Sequence, residues 1–168
     1  GASGFLGRHA LAARVDRYDV VAMVGRRGLP DSLAGRCVRL VAGDIRDASA
    51  VRDALTGVTA VCHLAARVPA RHDDPLEAEP CVRANAIATL DLARLSNAVG
   101  VRRFVYAAAG TVYAASEGPA RETDAVYPAE RATYYLASKL LGEMYVEHLR
   151  QACGFPAVSL RISSIYGP

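Results

Sequence analysis

Short apolar segments of strand length alternate with amphipathic helical patterns along the whole chain. The predicted strands lie at residues 20–24, 37–41, 58–64, 103–108 and 157–162. The predicted helices begin after the first glycines, at Asp47, near Pro80 and at Thr133. This alternation is typical of an α/β domain in which helices cover a parallel sheet.

Three glycines at the start of the chain, Gly1, Gly4 and Gly7, lead directly into the first predicted helix. A glycine turn lets the backbone approach a pyrophosphate, and the helix N-terminus adds free N–H groups and the positive end of its dipole. The next strand ends about 17 residues after Gly7, as a βαβ nucleotide-binding unit requires. The pattern therefore favours phosphate binding over a turn made only for tight packing.

The end of the strand at 20–24 carries information about the nucleotide. Gly25, Arg26 and Arg27 follow this strand, and no carboxylate occurs before Asp31. An NAD site of this type places Asp or Glu here for the ribose 2′-hydroxyl, whereas guanidinium groups suit a 2′-phosphate. The sequence predicts NADP in preference to NAD; the alternative is two solvated arginines in an Arg-rich protein.

Lys139 is the one lysine among 20 basic residues, and it lies four positions after Tyr135 in the helix predicted at 133–152. This spacing places both side chains on one helix face. A phenol with a pKa of about 10 exchanges protons poorly at neutral pH, and a neighbouring ammonium lowers that pKa by stabilising the phenolate. The pair therefore predicts acid–base chemistry at Tyr135.

Composition excludes several functional classes. The net charge of +3 gives no reason to expect a nucleic acid or an anionic membrane as partner, and no apolar run reaches the ~18 residues of a membrane span. The cysteines follow no metal-ligand spacing, so we interpret them as buried thiols of a cytoplasmic protein and predict no metal site. The polar stretch at 69–79, which includes His72, is interpreted as a solvated loop.

Six further patterns occur in a fixed order, namely GASGFLG at 1–7, GD at 43–44, HLAA at 63–66, Asn85, YLASK at 135–139 and RISSIYGP at 161–168. Together they resemble the extended short-chain dehydrogenase/reductases, the NAD(P)-dependent epimerase/dehydratase family, over the whole chain. The resemblance implies one NAD(P)-binding domain at 1–168 with a Rossmann-like doubly wound parallel sheet. Its glycine turn would lie at 1–7 and its active-site helix at 133–153.

The resemblance also assigns residues to the cofactor. Asp44 and Ile45 would hold the adenine, Asn85 would support the active-site helix, and Lys139 would bind the nicotinamide ribose. The other implied cofactor contacts, besides Arg26 and Arg27, are Gly1, Ser3, Gly4, Phe5, Leu6, Gly7, Leu64, Ala65 and Ala66. Tyr135 would be the catalytic acid/base.

One position departs from the family pattern. The family carries a Ser or Thr that holds the reacting oxygen three residues before the Val of Val-Tyr-Gly, and Ala109 stands there in this chain. Loss of such a donor typically lowers the rate about 100- to 1000-fold. In an extended backbone, Thr111 would project to the same side as Ala109, so we predict that Thr111 supplies the hydroxyl.

The expected function is hydride transfer between a nicotinamide and an alcohol or carbonyl carbon. The substrate would be a nucleotide-sugar, a small carbonyl compound or a sterol-like alcohol, and the sequence leaves reduction, epimerisation and dehydration open. A non-catalytic NADP-binding sensor or scaffold is the alternative, motivated by Ala109. The resemblance implies a homodimer through the helices at 80–99 and 133–152.

The chain is also expected to be a fragment. The first strand of a doubly wound sheet lies at its centre and immediately precedes the glycine turn, but no residue precedes Gly1. We therefore expect the first central strand to be missing. The resemblance implies that a smaller C-terminal substrate domain is missing as well.

Overall fold

The structure is a computed structural model that describes residues 1–37, 39–114, 118–127 and 129–167. The strands in these ranges are β1 (Val21–Val24), β2 (Arg39–Ala42), β3 (Ala60–His63), β4 (Arg103–Ala109) and β5 (Ala157–Ile162). The α-helices are α1 (Phe5–Ala12), α2 (Asp31–Ala34), α3 (Ala48–Leu55), α4 (Ala78–Cys81), α5 (Ala88–Ala98) and α6 (Tyr134–Cys153). A π-helical segment, Val82–Ile87, joins α4 to α5.

The strands form two parallel sheets. β1 pairs with β2, and β4 lies between β3 and β5 in a three-stranded sheet. In the second sheet Cys62 is opposite Val105, which is opposite Val158, so these three strands are in parallel register. The parallel α/β arrangement predicted from the sequence is confirmed. Among the described residues β1 and β3 are not paired with each other, and a strand between them stays a prediction.

The main hydrophobic core lies between the three-stranded sheet and helices α3, α5 and α6. Phe104 and Tyr106 of β4 are fully buried there, and Phe155, just before β5, stacks at 5.1 Å from the Phe104 ring. Full burial of a large apolar side chain stabilises a fold by roughly 1.5–3 kcal/mol. β4 is therefore the most firmly anchored strand, and it carries the backbone toward Ala109.

Side-chain caps explain where the helices begin. The Asp47 carboxylate accepts hydrogen bonds from the backbone N–H groups of Ser49 and Ala50 at the start of α3. The Thr133 hydroxyl accepts one from the N–H of Leu136 at the start of α6, and Gly154, with φ of 65°, ends that helix. The Thr133 cap fixes the first turn of α6, where Tyr135 lies.

The cysteine side chains differ in their burial. All four cysteines are free thiols; Cys81 is buried as predicted, but the prediction is wrong for Cys62 and Cys153, which are exposed. In the described ranges no helix has the length and apolar character that crossing a membrane requires. No group of three or more His, Cys, Asp or Glu side chains in those ranges is arranged to hold a metal ion.

Candidate active site

The glycine turn packs tightly against the start of α1. Gly4 precedes the helix without any side-chain cap, and its N–H donates to the Gly1 carbonyl at 3.1 Å. A Cβ on Gly7 would lie 2.1 Å from that same carbonyl oxygen, so a side chain there would force the helix away from the turn. The uncapped N–H groups of the first turn of α1 suit an anionic phosphate group.

The turn lies against the segment that follows β3. A Cβ on Gly1 would be 2.3 Å from the carbonyl carbon of Leu64 and 2.4 Å from the nitrogen of Ala65. The structure thus brings together two segments that the sequence assigned separately to the cofactor. Ligands of open parallel α/β sheets bind at this carboxyl end of the strands.

A cleft of about 500 Å³ opens beside the turn and the segment after β1. Its lining residues are Ser3, Gly4, Phe5, Arg8, Arg27, Gly28, Leu29 and Pro30. Arg27 therefore lies where the sequence predicts a phosphate-binding cation. Arg8 lines the same cleft, although the sequence patterns did not assign it to the cofactor. The signal that could have found Arg8 is its position one helical turn after Gly4.

Arg26 and Asp44 lie outside the lining of this cleft. The Asp44 carboxylate accepts hydrogen bonds from the Arg46 side chain at 2.9 and 2.7 Å. These bonds, with a smaller contribution from the charge of Arg26, hold the pKa of Asp44 at about 2. Ile45 is half-buried and packs against the main core. The adenine contacts expected of Asp44 and Ile45 stay predictions.

Lys139 is buried on α6, with 3% of its surface exposed. Its Nζ lies 4.3 Å from the centroid of the Tyr106 ring, a distance that permits a cation–π interaction. Burial lowers the pKa of Lys139 to about 8, and the negative charge of Glu143 opposes that shift. The side chain is therefore mainly an ammonium at neutral pH.

Tyr135 is held in a partly buried position at the start of the same helix. Burial, together with the neighbouring Cys81 thiol, raises the pKa of Tyr135 above its usual value. This direction is opposite to the one predicted from the Lys139 ammonium. Desolvation of the phenolate dominates here, so the phenol is the stable form.

A hydrogen-bond network connects the Tyr135 turn to the segment after β3. The Asn85 side chain accepts from the Arg67 N–H at 2.7 Å and donates to the Arg67 carbonyl and to the Ser138 hydroxyl, both at 2.9 Å. Ser138 in turn donates to the Tyr135 carbonyl at 2.7 Å. The expectation that Asn85 supports the active-site helix is confirmed by these contacts.

His63 belongs to the same buried region. Its Nε2 lies 2.8 Å from the Thr89 hydroxyl, which donates its own proton to the Asn85 carbonyl at 2.7 Å. Thr89 can therefore only accept from His63, so Nε2 carries the imidazole proton. Burial, and then the charge of Lys139, lower the pKa of His63 well below its usual value. The ring is neutral and structural.

The geometric reason for choosing Thr111 as a catalytic residue is wrong. β4 ends at buried Ala109, and the backbone then turns into a 3₁₀ helix, Gly110–Val112. Thr111 is exposed on that turn and does not continue the strand. The 3₁₀ turn breaks the two-residue alternation on which the inference rested. A catalytic role for Thr111 is left as a prediction without that support.

His72 lies close to Tyr135, a contact that the sequence does not predict. Its ring centroid lies 6.0 Å from that of Tyr135, with the rings at 68°. The loop after β3 carries His72 back over the start of α6. One available signal was topological, because loops at the carboxyl ends of parallel strands converge on one site.

A glycine turn that leads into a helix at the carboxyl end of a parallel sheet, with a cleft beside it, is typical of Rossmann-like α/β proteins. The chain matches the model of the NAD dependent epimerase/dehydratase family over residues 1–168 and belongs to that family.

Two relatives match this chain over its whole length. It is 32% identical over 170 residues to the sterol demethylase protein B of Methylococcus capsulatus, covering 100% of this chain and 51% of that protein. It is 30% identical over 186 residues to the UDP-glucose 4-epimerase of Mycolicibacterium smegmatis, covering 100% of this chain and 55% of that enzyme.

A short-chain dehydrogenase/reductase superfamily protein from Agrobacterium tumefaciens, crystallised with bound NAD, superposes with a TM-score of 0.81 at 32% identity, covering 96% of this chain and 47% of that one. The chain spans about half the length of the relatives it matches. The likeness confirms the Rossmann-like fold.

Proposed function

We propose that the protein containing this chain is an NAD(P)-dependent enzyme that transfers a hydride between a nicotinamide and an alcohol or carbonyl carbon. The carrying observation is that α6 presents Tyr135 and buried Lys139 one turn apart, with the Tyr135 turn tied by Asn85 to the segment after β3. That segment also contacts the glycine turn. Acid/base group, cation and phosphate-binding backbone thus belong to one connected site.

Each residue has a separate role. When bound, the nicotinamide supplies or takes up the hydride, with its electron pair, at the reacting carbon. Tyr135 moves the proton: its phenol gives a proton to a carbonyl oxygen in reduction, and its phenolate accepts one in oxidation. Because burial raises the pKa of Tyr135, the free protein favours the phenol and is ready to protonate a carbonyl. Lys139 would hold the nicotinamide ribose by donating a hydrogen bond to it.

NADP is the proposed cofactor in preference to NAD. Arg27 and Arg8 both line the cleft, together with the start of α1. Among the residues that the structure describes, no acidic side chain belongs to that lining. Guanidinium groups pair well with the oxygens of a 2′-phosphate, whereas a ribose 2′-hydroxyl is normally held by a carboxylate.

The proposed substrates are nucleotide-sugars or small carbonyl and sterol-like alcohol compounds. Support for the first class comes from the UDP-glucose 4-epimerase relative, and for the last from the sterol demethylase protein B relative. Cytoplasmic location and a homodimer formed through the helices at 80–99 and 133–152 are also proposals, which rest on the resemblance.

A non-catalytic NADP-binding sensor is the second candidate. The observation that favours it is Ala109, which leaves no hydroxyl at the end of β4, while the 3₁₀ turn takes Thr111 out of the strand. A sensor needs the cleft but not the phenol of Tyr135. Removal of that one oxygen therefore separates the two functions.

The test is Tyr135→Phe in the full-length protein, assayed with nucleotide-sugars, small aldehydes and ketones, and sterols. We expect turnover to fall at least about 100-fold, because the proton-transferring group is gone, while NADPH binding changes less than about twofold. Tyr134→Phe is the matched control, since Tyr134 is the adjacent, more exposed tyrosine of the same helix turn. NADPH binding without any Tyr135-dependent turnover on these panels would favour the sensor.

A further inference from the structure

A buried carboxylate lies one helical turn beyond Lys139. Glu143 is 8% exposed, and its Oε1 accepts a hydrogen bond from Arg161 Nε at 2.8 Å. Its Oε2 is buried and has no hydrogen-bond partner among the described residues. A buried charged oxygen without a partner destabilises a fold, so its presence calls for a functional explanation.

Arg161 connects this carboxylate to three other parts of the protein. It projects from β5, and its Nη1 donates to the Glu122 carbonyl at 3.3 Å. Its guanidinium carbon lies 4.8 Å from the centroid of the Tyr113 ring. The pair thus ties α6 to β5, to the turn after β4 and to the loop at 118–127.

Several titratable groups surround Lys139 and Glu143. They are Tyr135 on α6, Tyr106 on β4, His63 at the end of β3, and Arg161 on β5. His63 is neutral, and burial raises the pKa of Tyr106 far above neutrality, so neither ring carries a charge. Within this set Glu143 is the carboxylate; Arg161 bonds to it, and Lys139 lies one helical turn before it on α6.

We propose that Glu143 is a positioning residue for the reaction, because its buried carboxylate, held in place by Arg161, keeps Lys139 an ammonium inside the apolar helix–sheet interface. The inference rests on the proposed contact of Lys139 with the cofactor. Residues four apart on a helix are neighbours, and the negative charge of Glu143 opposes the fall in the pKa of Lys139 that burial causes. Arg161 bonds to Oε1, so the unpartnered Oε2 is the oxygen whose negative charge Arg161 leaves uncompensated.

Two substitutions should shift the pKa of Lys139 in opposite directions. Glu143→Gln removes the negative charge, and we expect the pKa of Lys139 to fall by about one unit. Arg161→Gln leaves the carboxylate without its competing cation, and we expect the pKa of Lys139 to rise. A merely structural ion pair predicts loss of stability in both variants and no such pair of opposite shifts.

The experiment titrates Lys139 in the full-length protein by following its side-chain NMR resonance, assigned from its loss in Lys139→Arg. This readout needs no turnover. Glu147→Gln is the matched control, because Glu147 lies one turn further along α6 and pairs with exposed Arg150. Its Lys139 titration should equal that of the wild type.

A folded Glu143→Gln variant with an unchanged Lys139 titration would overturn the inference. If Glu143→Gln does not fold, Arg161→Gln decides alone, and the absence of an upward shift overturns it. Where turnover is measured, the alkaline limb of the pH profile should move with the Lys139 titration. Failure of the proposed function would be recognised separately, because the comparison with Tyr135→Phe tests whether there is turnover. The pKa shift of Lys139 is measured without substrate.

Discussion

The cleft beside the glycine turn and the surroundings of α6 differ in the chemical groups that form them and in how deeply those groups are buried. The cleft is formed by the backbone of the glycine turn and by exposed side chains such as Phe5, Arg8 and Arg27. Around α6, Asn85, Ser138 and Lys139 are each at most 3% exposed. The first region exposes peptide groups and solvated cations, whereas the second contains buried polar groups that hydrogen-bond to one another.

This difference determines what each region tolerates. In the cleft a side chain can be shortened without leaving a buried donor unpaired, so the effect should be confined to ligand affinity. Around α6 the loss of one hydrogen-bonding side chain leaves its partners without a hydrogen bond in a low-dielectric interior. This destabilises the whole fold. The following substitutions probe the difference, beginning with the largest expected effect.

Asn85→Ala should give the largest loss of stability. It removes both hydrogen bonds to the Arg67 backbone and the amide that donates to the buried Ser138 hydroxyl. We expect the free energy of unfolding to fall by about 3 kcal/mol, measured by denaturant titration. Asn97→Ala, at an exposed position on α5, is the control and should change it by less than about 0.5 kcal/mol. An equal loss in the two variants would contradict the distinction between the regions.

Gly7→Ala should act on the cleft through geometry alone. The new Cβ would meet the Gly1 carbonyl oxygen, so α1 must shift relative to the turn. We expect the dissociation constant for NADPH to rise about 100-fold, because the helix N-terminus no longer faces the phosphate. Gly28→Ala is the control: Gly28 lines the same cleft, but a Cβ there meets nothing within 4 Å. An unchanged NADPH affinity in Gly7→Ala would contradict a phosphate site at the glycine turn.

His63 should make the α6 region sensitive to acid. Its pKa is lowered in the folded state, chiefly by burial, so the unfolded chain binds more protons below the ordinary histidine pKa of about 6.5. The stabilisation is complete above that pH and is lost as the pH falls, by up to about 1.4 kcal/mol per pH unit. Denaturation midpoints at pH 7 and pH 5 measure this slope. It should shrink in His63→Gln and persist in His148→Gln, where the histidine is exposed.

The regular elements could be predicted from local sequence. The sequence predicts the strand at 157–162 with its observed bounds, a helix that begins at Asp47, and an active-site helix that ends at residue 153. Caps, glycines with positive φ and apolar runs act within a few residues, so their signals lie in the chain itself.

The chemistry of the site was less predictable because it arises from tertiary contacts. The direction of the pKa shift at Tyr135 depends on how deeply α6 is buried, which the four-residue spacing to Lys139 does not encode. The turn that takes Thr111 out of the strand and the loop that brings His72 to Tyr135 are likewise products of packing. For the same reason the sequence predicts one helix over residues 80–99 and not the π-helical segment that contains Asn85.

The smallest expected effect concerns the nucleotide that the cleft prefers. Arg27→Ala removes one exposed guanidinium from the lining, and the dissociation constant for NADPH should rise about tenfold while that for NADH changes less than twofold. Isothermal titration of the full-length protein with both cofactors measures the ratio. Arg17→Ala, an exposed arginine outside the cleft, controls for the loss of one positive charge. Equal weakening of NADPH and NADH would mean that Arg27 acts on a phosphate common to both, and the preference for NADP would then have to rest on Arg8.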